Sequence, residues 1–120
     1  MAKILIVEDE QALRTAYEKL LIKGGHHVAL ATNGEAGVMA AKSEQPDLVL
    51  LDLLMPDSNG LDFLKQFNTH TNPDTKIMVF TNMGTLPVEM EAKKLGVNQY
   101  VTKSSLSPQQ LLEAIDTILA

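Results

Sequence analysis

The sequence predicts an α/β protein: a doubly wound, five-stranded parallel sheet with five helices. Apolar runs alternate with segments of helical period five times along the chain, a pattern that favours βα units and a parallel sheet. The run Leu48 to Leu51 is apolar on consecutive residues, as strands covered on both faces are. Glycine, proline or a capping side chain stands at most of the junctions.

Ile4 to Val7 is the first strand, bounded by Glu8 and Asp9. From Gln11 to Lys23, Leu13, Ala16, Tyr17, Leu20 and Leu21 form a helical stripe, and Gly24-Gly25 ends it. Val28 to Ala31 is the second strand. Asn33 caps a helix from about Gly34 to Lys42. Pro46-Asp47 breaks the chain before the third strand, Leu48 to Leu51. Pro56, Asn59 and Gly60 are expected to form a loop, and Leu61, Phe63, Leu64 and Phe67 mark the third helix. Lys76 to Phe80 is the fourth strand, followed by a helix from about Pro87 to Leu95 that Gly96 stops. Tyr100-Val101 is the core of a short fifth strand. Ser107 caps the last helix with Pro108 at its first position; Leu111, Leu112, Ile115, Ile118 and Leu119 are its inner face.

A chain of 120 residues fits one domain, expected over residues 1–120. It has no Cys, which excludes a disulfide scaffold or thiolate metal site and is compatible with a reducing cytoplasm, the expected compartment. Ten basic against fifteen acidic residues give a net charge of −5; no basic stripe suits direct nucleic-acid binding. The N-terminal apolar run is too short for a membrane span or a signal peptide. No internal repeat is present. Right-handed crossovers leave few topologies, and the strand order expected is 2-1-3-4-5, the flavodoxin-like one. Ligands in such sheets bind outside the carboxyl ends of the strands, at the switch point between strands one and three.

At that edge, strand one ends in Glu8-Asp9-Glu10, strand three in Asp52, strand four in Thr81 and strand five in Thr102-Lys103. The amino ends offer nothing comparable beyond Lys3, Asp47 and Lys76. Taken singly, each residue has a structural explanation: solvated loop starts for the acids, a turn cap for Asp52, an ordinary strand end for Thr81, a solvated edge for Lys103. Their collection at one edge points to chemistry. Adjacent carboxylates repel, and a cation relieves them. Oxygen ligands without His or Cys suit a hard ion such as Mg²⁺, or Mn²⁺. An Asp can attack phosphorus and become an aspartyl phosphate. The cation and Lys103 would then neutralise the transferring group, and the Thr81 hydroxyl would bond one of its oxygens.

The ordered set Ile4-Leu5-Ile6-Val7-Glu8-Asp9-Glu10, Leu51-Asp52-Leu53-Leu54-Met55-Pro56 with Asn59-Gly60, Val79-Phe80-Thr81 and Tyr100-Val101-Thr102-Lys103 resembles the receiver domain of bacterial response regulators over essentially the whole chain. The resemblance implies that Asp52 is the phosphoryl acceptor and that Asp9 is the direct metal ligand. It gives Glu8 a role through water and makes the Leu54 main-chain carbonyl a further ligand. Thr81 and Lys103 would contact the phosphoryl group. Tyr100 matches the family's aromatic switch, with Thr81 drawn to the phosphate, the ring moving inward, and the face of helix four, strand five and helix five (Met90, Lys94, Tyr100, Gln110) changing most. The implied partners are a histidine kinase or phosphotransfer protein and, downstream, an unknown output protein or an output domain of a longer chain. The activity implied is self-catalysed phosphorylation and dephosphorylation rather than conventional enzymic turnover.

Three positions depart from the family pattern. Ser104 follows Lys103 where Pro is usual, and a trans peptide is expected because a non-Pro cis bond costs about 3 kcal/mol. Asn82 follows Thr81 in place of Ala or Gly and adds bulk beside the site. Leu54 stands at a position that is often polar. A degenerate receiver acting as a constitutive protein-binding module is the competing reading. A flavodoxin-like cofactor binder is disfavoured, since Glu8-Asp9-Glu10 would repel a phosphate lacking a cation. A phosphohydrolase would want a second Asp where Leu54 stands.

Overall fold

The computed structural model describes residues 2–55, 58–67, 71–82 and 86–120. Five parallel strands form the main sheet: β1 (Lys3–Val7), β2 (His27–Ala31), β3 (Leu48–Leu51), β4 (Lys76–Thr81) and β5 (Gln99–Thr102). Their order is β2-β1-β3-β4-β5, as the alternating pattern predicted. Five helices connect or follow them: α1 (Gln11–Lys23), α2 (Gly34–Glu44), α3 (Gly60–Phe67), α4 (Leu86–Lys94) and α5 (Pro108–Leu119). Among the described residues, no helix is long and apolar enough to cross a membrane.

The consecutive apolar residues follow from the pleat, which sends neighbours to opposite faces. Leu5, Val7, Val49, Leu51, Ile77 and Val79 pack with Val38, Phe63, Phe67 and Ala92 of α2, α3 and α4. Ile4, Ile6, Leu48, Leu50, Met78 and Phe80 pack with Leu21 of α1 and Leu111 and Ile115 of α5. Both faces are therefore covered, and residues 4 to 7 and 48 to 51 are all buried. β2 is an edge strand whose Leu30 is 40 % exposed, and it starts at His27, one residue before the expected Val28.

The helix ends use the anticipated residues. The Asn33 Oδ1 accepts from the Ala36 N–H at 2.8 Å. Ser107 and Gln110 cap each other's main chain, with Pro108 opening α5. The structure extends α2 to Glu44 and ends it on Gln45 in the left-handed region (φ 49°), and α4 runs one residue earlier at each end than expected. The described residues contain no cis peptide, so Ser104 follows Lys103 in trans, within a single 3₁₀ turn (Lys103–Ser105).

The loop expected at Pro56, Asn59 and Gly60 is corrected in part. Leu54–Met55 pairs antiparallel with Ser58–Asn59, and Gly60 is the first residue of α3; Pro56 lies outside the described residues. Gly60 serves close approach rather than a turn. Its N–H donates to the Leu53 carbonyl at 3.2 Å. A Cβ there would meet the Leu53 Cα at 2.7 Å and the Asp52 carbonyl oxygen at 2.8 Å. Both are main-chain atoms, so Gly60→Ala is expected to destabilise the fold by about 2 kcal/mol, as overpacking does. Urea unfolding measures this; a midpoint equal to wild type would show that the α3 start shifts freely.

Register places the strand ends together. Val7 lies opposite Leu51, and Leu51 opposite Val79; Thr81 lies opposite Thr102. The residues that leave this edge are Glu8, Asp52, Thr81 and Lys103.

Candidate functional site

Each side chain at this edge is aimed by a strand that ends beneath it. The Glu8 N–H donates to Ala31 O and the Asp52 N–H to Val7 O, both at 3.1 Å, which extends the ladder by one rung and draws both acids into the fold. Glu8 is 2 % exposed, Asp52 5 % and Thr81 0 %. Buried carboxylates need partners, and the 3₁₀ turn after β5 supplies one. The Lys103 Nζ donates to Glu8 Oε1 at 2.6 Å and to Asp52 Oδ2 at 3.2 Å. The Thr81 hydroxyl donates to Asp52 Oδ1 at 3.1 Å, and the Glu10 N–H to Glu8 Oε2 at 3.3 Å.

Thr81, expected from the resemblance to be drawn to a phosphoryl group on Asp52, already bonds the free carboxylate. A fully buried hydroxyl requires an acceptor, and Asp52 already provides it. Tyr100 packs against the α2–α3–α4 side of the core, with its hydroxyl buried and lacking a partner among the described residues. Asn82, the next residue after Thr81, is exposed.

Carboxylate oxygens of Glu8, Asp9 and Asp52 all lie within 4.8 Å of one another. Three acids against one ammonium leave an excess of negative charge, and among the described residues no His joins them; the chain has no Cys. This donor set fits a hard divalent cation such as Mg²⁺. Leu54 enters the short ribbon two residues after Asp52. Two clefts of about 380 and 430 Å³ open elsewhere, around Pro46 and Thr75 and around His26 and Asp116.

Burial, the largest cause, lifts the Glu8 carboxyl; the Lys103 hydrogen bond opposes it and the Asp52 charge adds to it, leaving it at about 7 against an ordinary 4.5. For Lys103, burial pulls the other way, but the Glu8 hydrogen bond and the charges of Asp52 and Glu8 overcome it, so the ammonium is held above 10.5. The sign for Glu8 follows from linkage. The folded state binds its proton more tightly, so this contribution to stability is full below 4.5 and is lost as pH rises through about 7. Metal-free protein is expected to lose stability from this group between about pH 5 and about pH 8, and Glu8→Gln to flatten that dependence. Urea midpoints across the range give the slope, and an unchanged slope in the variant would remove Glu8 as its source.

One residue at the site was not singled out from sequence. The Arg14 Nη1 donates to the Glu8 carbonyl oxygen at 2.9 Å and to that of Asp9 at 3.2 Å. Its signal was thin: the chain's only arginine, four residues after an acidic triplet.

Comparison with known proteins agrees with this layout. The profile of the response regulator receiver domain matches residues 4–116. The chain is 33 % identical over 117 residues to the chemotaxis protein CheY of Thermotoga maritima, covering 97 % of this chain and 96 % of that protein. It is 33 % identical over 121 residues to protein PilH of Pseudomonas aeruginosa, covering 100 % and 99 %. The solved structure of a CheY-like receiver domain protein from Methanospirillum hungatei superposes with a TM-score of 0.92 at 27 % identity, covering 99 % of this chain and 94 % of that one.

Proposed function

As this chain belongs to the response regulator receiver domain family, we propose that it is a phosphorylation switch of a two-component system, accepting a phosphoryl group on Asp52 from a histidine kinase or phosphotransfer protein. The observation that carries this reading is the double anchoring of one buried carboxylate. Asp52 is held by the Lys103 ammonium on one oxygen and the Thr81 hydroxyl on the other, beside the carboxylates of Glu8 and Asp9. Both anchors bear groups that suit phosphoryl oxygens.

In the transfer, one Asp52 carboxylate oxygen forms a bond to phosphorus as the bond from phosphorus to the donor's imidazole nitrogen breaks. The electron pair leaves with that nitrogen. Lys103 passes from the carboxylate to a phosphoryl oxygen, and Thr81 hydrogen-bonds another. Glu8, Asp9, Asp52 and the Leu54 carbonyl would hold Mg²⁺ or Mn²⁺. When bound, the cation supplies positive charge where the transferring group's oxygens gather. Loss of the phosphoryl group by attack of water restores the carboxylate. The same chain thus serves its own phosphorylation and dephosphorylation, in the cytoplasm.

Output is assigned to α4, β5 and α5. Leu86 and Met90 on α4 are 67 % and 53 % exposed, one helical turn apart, and Lys94 and Gln110 are exposed. Tyr100 on β5 packs on the α4 side of the sheet with its hydroxyl buried. An output protein, or an output domain on a longer chain, would read this face through a two-state change biased by charge at Asp52.

The test is incubation with a small acyl phosphate with and without Mg²⁺, followed by intact mass. A gain of one phosphoryl group that requires the cation is expected. A wild-type chain that gains nothing points instead to a constitutive protein-binding module.

A further inference from the structure

Glu8, Asp9 and Glu10 are consecutive acids at the point where β1 gives way to α1. Helix capping does not order them: Glu10 makes no side-chain cap and the first turn of α1 carries no acid. Arg14 does so instead. Its guanidinium Nη1 donates to the carbonyl oxygens of Glu8 and Asp9 at 2.9 and 3.2 Å. Its main-chain N–H donates to the Glu10 carbonyl oxygen at 2.9 Å. Three successive carbonyls are taken by one residue, the chain's only arginine.

The bonds go to the main chain and not to the acids. The ion pairs found at this edge among the described residues are made by Lys103. A single nitrogen that holds two adjacent carbonyls fixes two peptide planes, and with them the Cα–Cβ directions that aim the Glu8 and Asp9 carboxylates. Such fixation helps three like-charged groups converge within 4.8 Å without an Arg14 bond to any of the Glu8 and Asp9 carboxylate oxygens.

We propose that Arg14 is the positioning residue of the cation site, locking the main chain of Glu8 and Asp9 so that their carboxylates meet Asp52 around one ion. This rests on the cation-assisted reading above. The proposal separates from a purely electrostatic role by sign. A guanidinium near a cation site repels the cation, so if charge alone mattered, its removal would tighten binding. If position matters, removal loosens it.

Mg²⁺ titration of the full chain by calorimetry, on wild type, Arg14→Gln and Arg14→Lys, decides between them. Arg14→Gln is expected to bind about tenfold more weakly, in the range lost when a residue that orients metal ligands is removed. Arg14→Lys keeps the charge but not the planar fork, and is expected to fall between the two. In metal-free protein, amide exchange at Asp9 and Glu10 should quicken in Arg14→Gln. Equal or tighter binding by Arg14→Gln beside a wild type that binds would overturn the inference and leave the cation site standing. A wild type that binds no cation overturns both. Should Arg14→Gln fail to fold, Arg14→Lys settles the matter: weaker binding than wild type supports the role, and equal or tighter binding ends it.

Discussion

Lys103→Met is expected to destabilise the metal-free protein by about 3–5 kcal/mol at about pH 8, the range found when one partner of a buried ion pair is removed. The side chains of Lys103, Glu8 and Asp52 are 8 %, 3 % and 6 % exposed, so water cannot replace the lost ammonium. Methionine fills a similar volume, which confines the change to charge and hydrogen bonding. The loss should shrink at about pH 5, because Glu8 is already lifted to about 7 by burial with Lys103 present, and without the ammonium it takes up a proton more readily still. Excess Mg²⁺ should restore part of the loss by supplying positive charge to the same carboxylates. Urea unfolding at both pH values, with and without the ion, measures each effect. A midpoint that is unmoved at the higher pH would mean that the two carboxylates are solvated after all.

The second large effect is expected from Asp52→Asn, which should eliminate phosphorylation while leaving the fold intact. An amide oxygen can still accept from Thr81, so the buried hydroxyl keeps its partner. The amide cannot displace a leaving group at phosphorus, so the nucleophile is gone. One negative charge is also removed from a site where three carboxylates face one ammonium. The metal-free variant should therefore melt higher than wild type, with Lys103 left paired to Glu8 at 2.6 Å. Thermal unfolding in the presence of a chelator is the check, and a lower melting temperature would show that the Lys103–Asp52 contact outweighs the repulsion.

Particular residues show how far the sequence could be read. The run Leu48 to Leu51 announced a strand covered on both faces, because neither face needs polar residues there. The ends of the strands followed, and with them the gathering of Glu8, Asp9, Asp52, Thr81 and Lys103. The pairing inside the site did not follow. Nothing in the order of residues states that Lys103 grips Glu8 more closely than Asp52, or that Thr81 already rests on Asp52. Gly60 was taken for a turn residue because glycine usually signals conformation, whereas here it makes room for the main chain of Leu53 and Asp52. Arg14 was passed over for a related reason: its partners are carbonyls, which every residue carries and no pattern marks.

The central claim is that one carboxylate, Asp52, receives the phosphoryl group. Peptide mapping of the chain after reaction with a small acyl phosphate and Mg²⁺, digested in acid to protect the acyl phosphate, tests it most directly. The added phosphoryl mass is predicted on the peptide that carries Leu48 to Leu53, and on no other. Phosphoryl mass on a peptide bearing Glu8 and Asp9, or spread over several acidic peptides, would contradict the account.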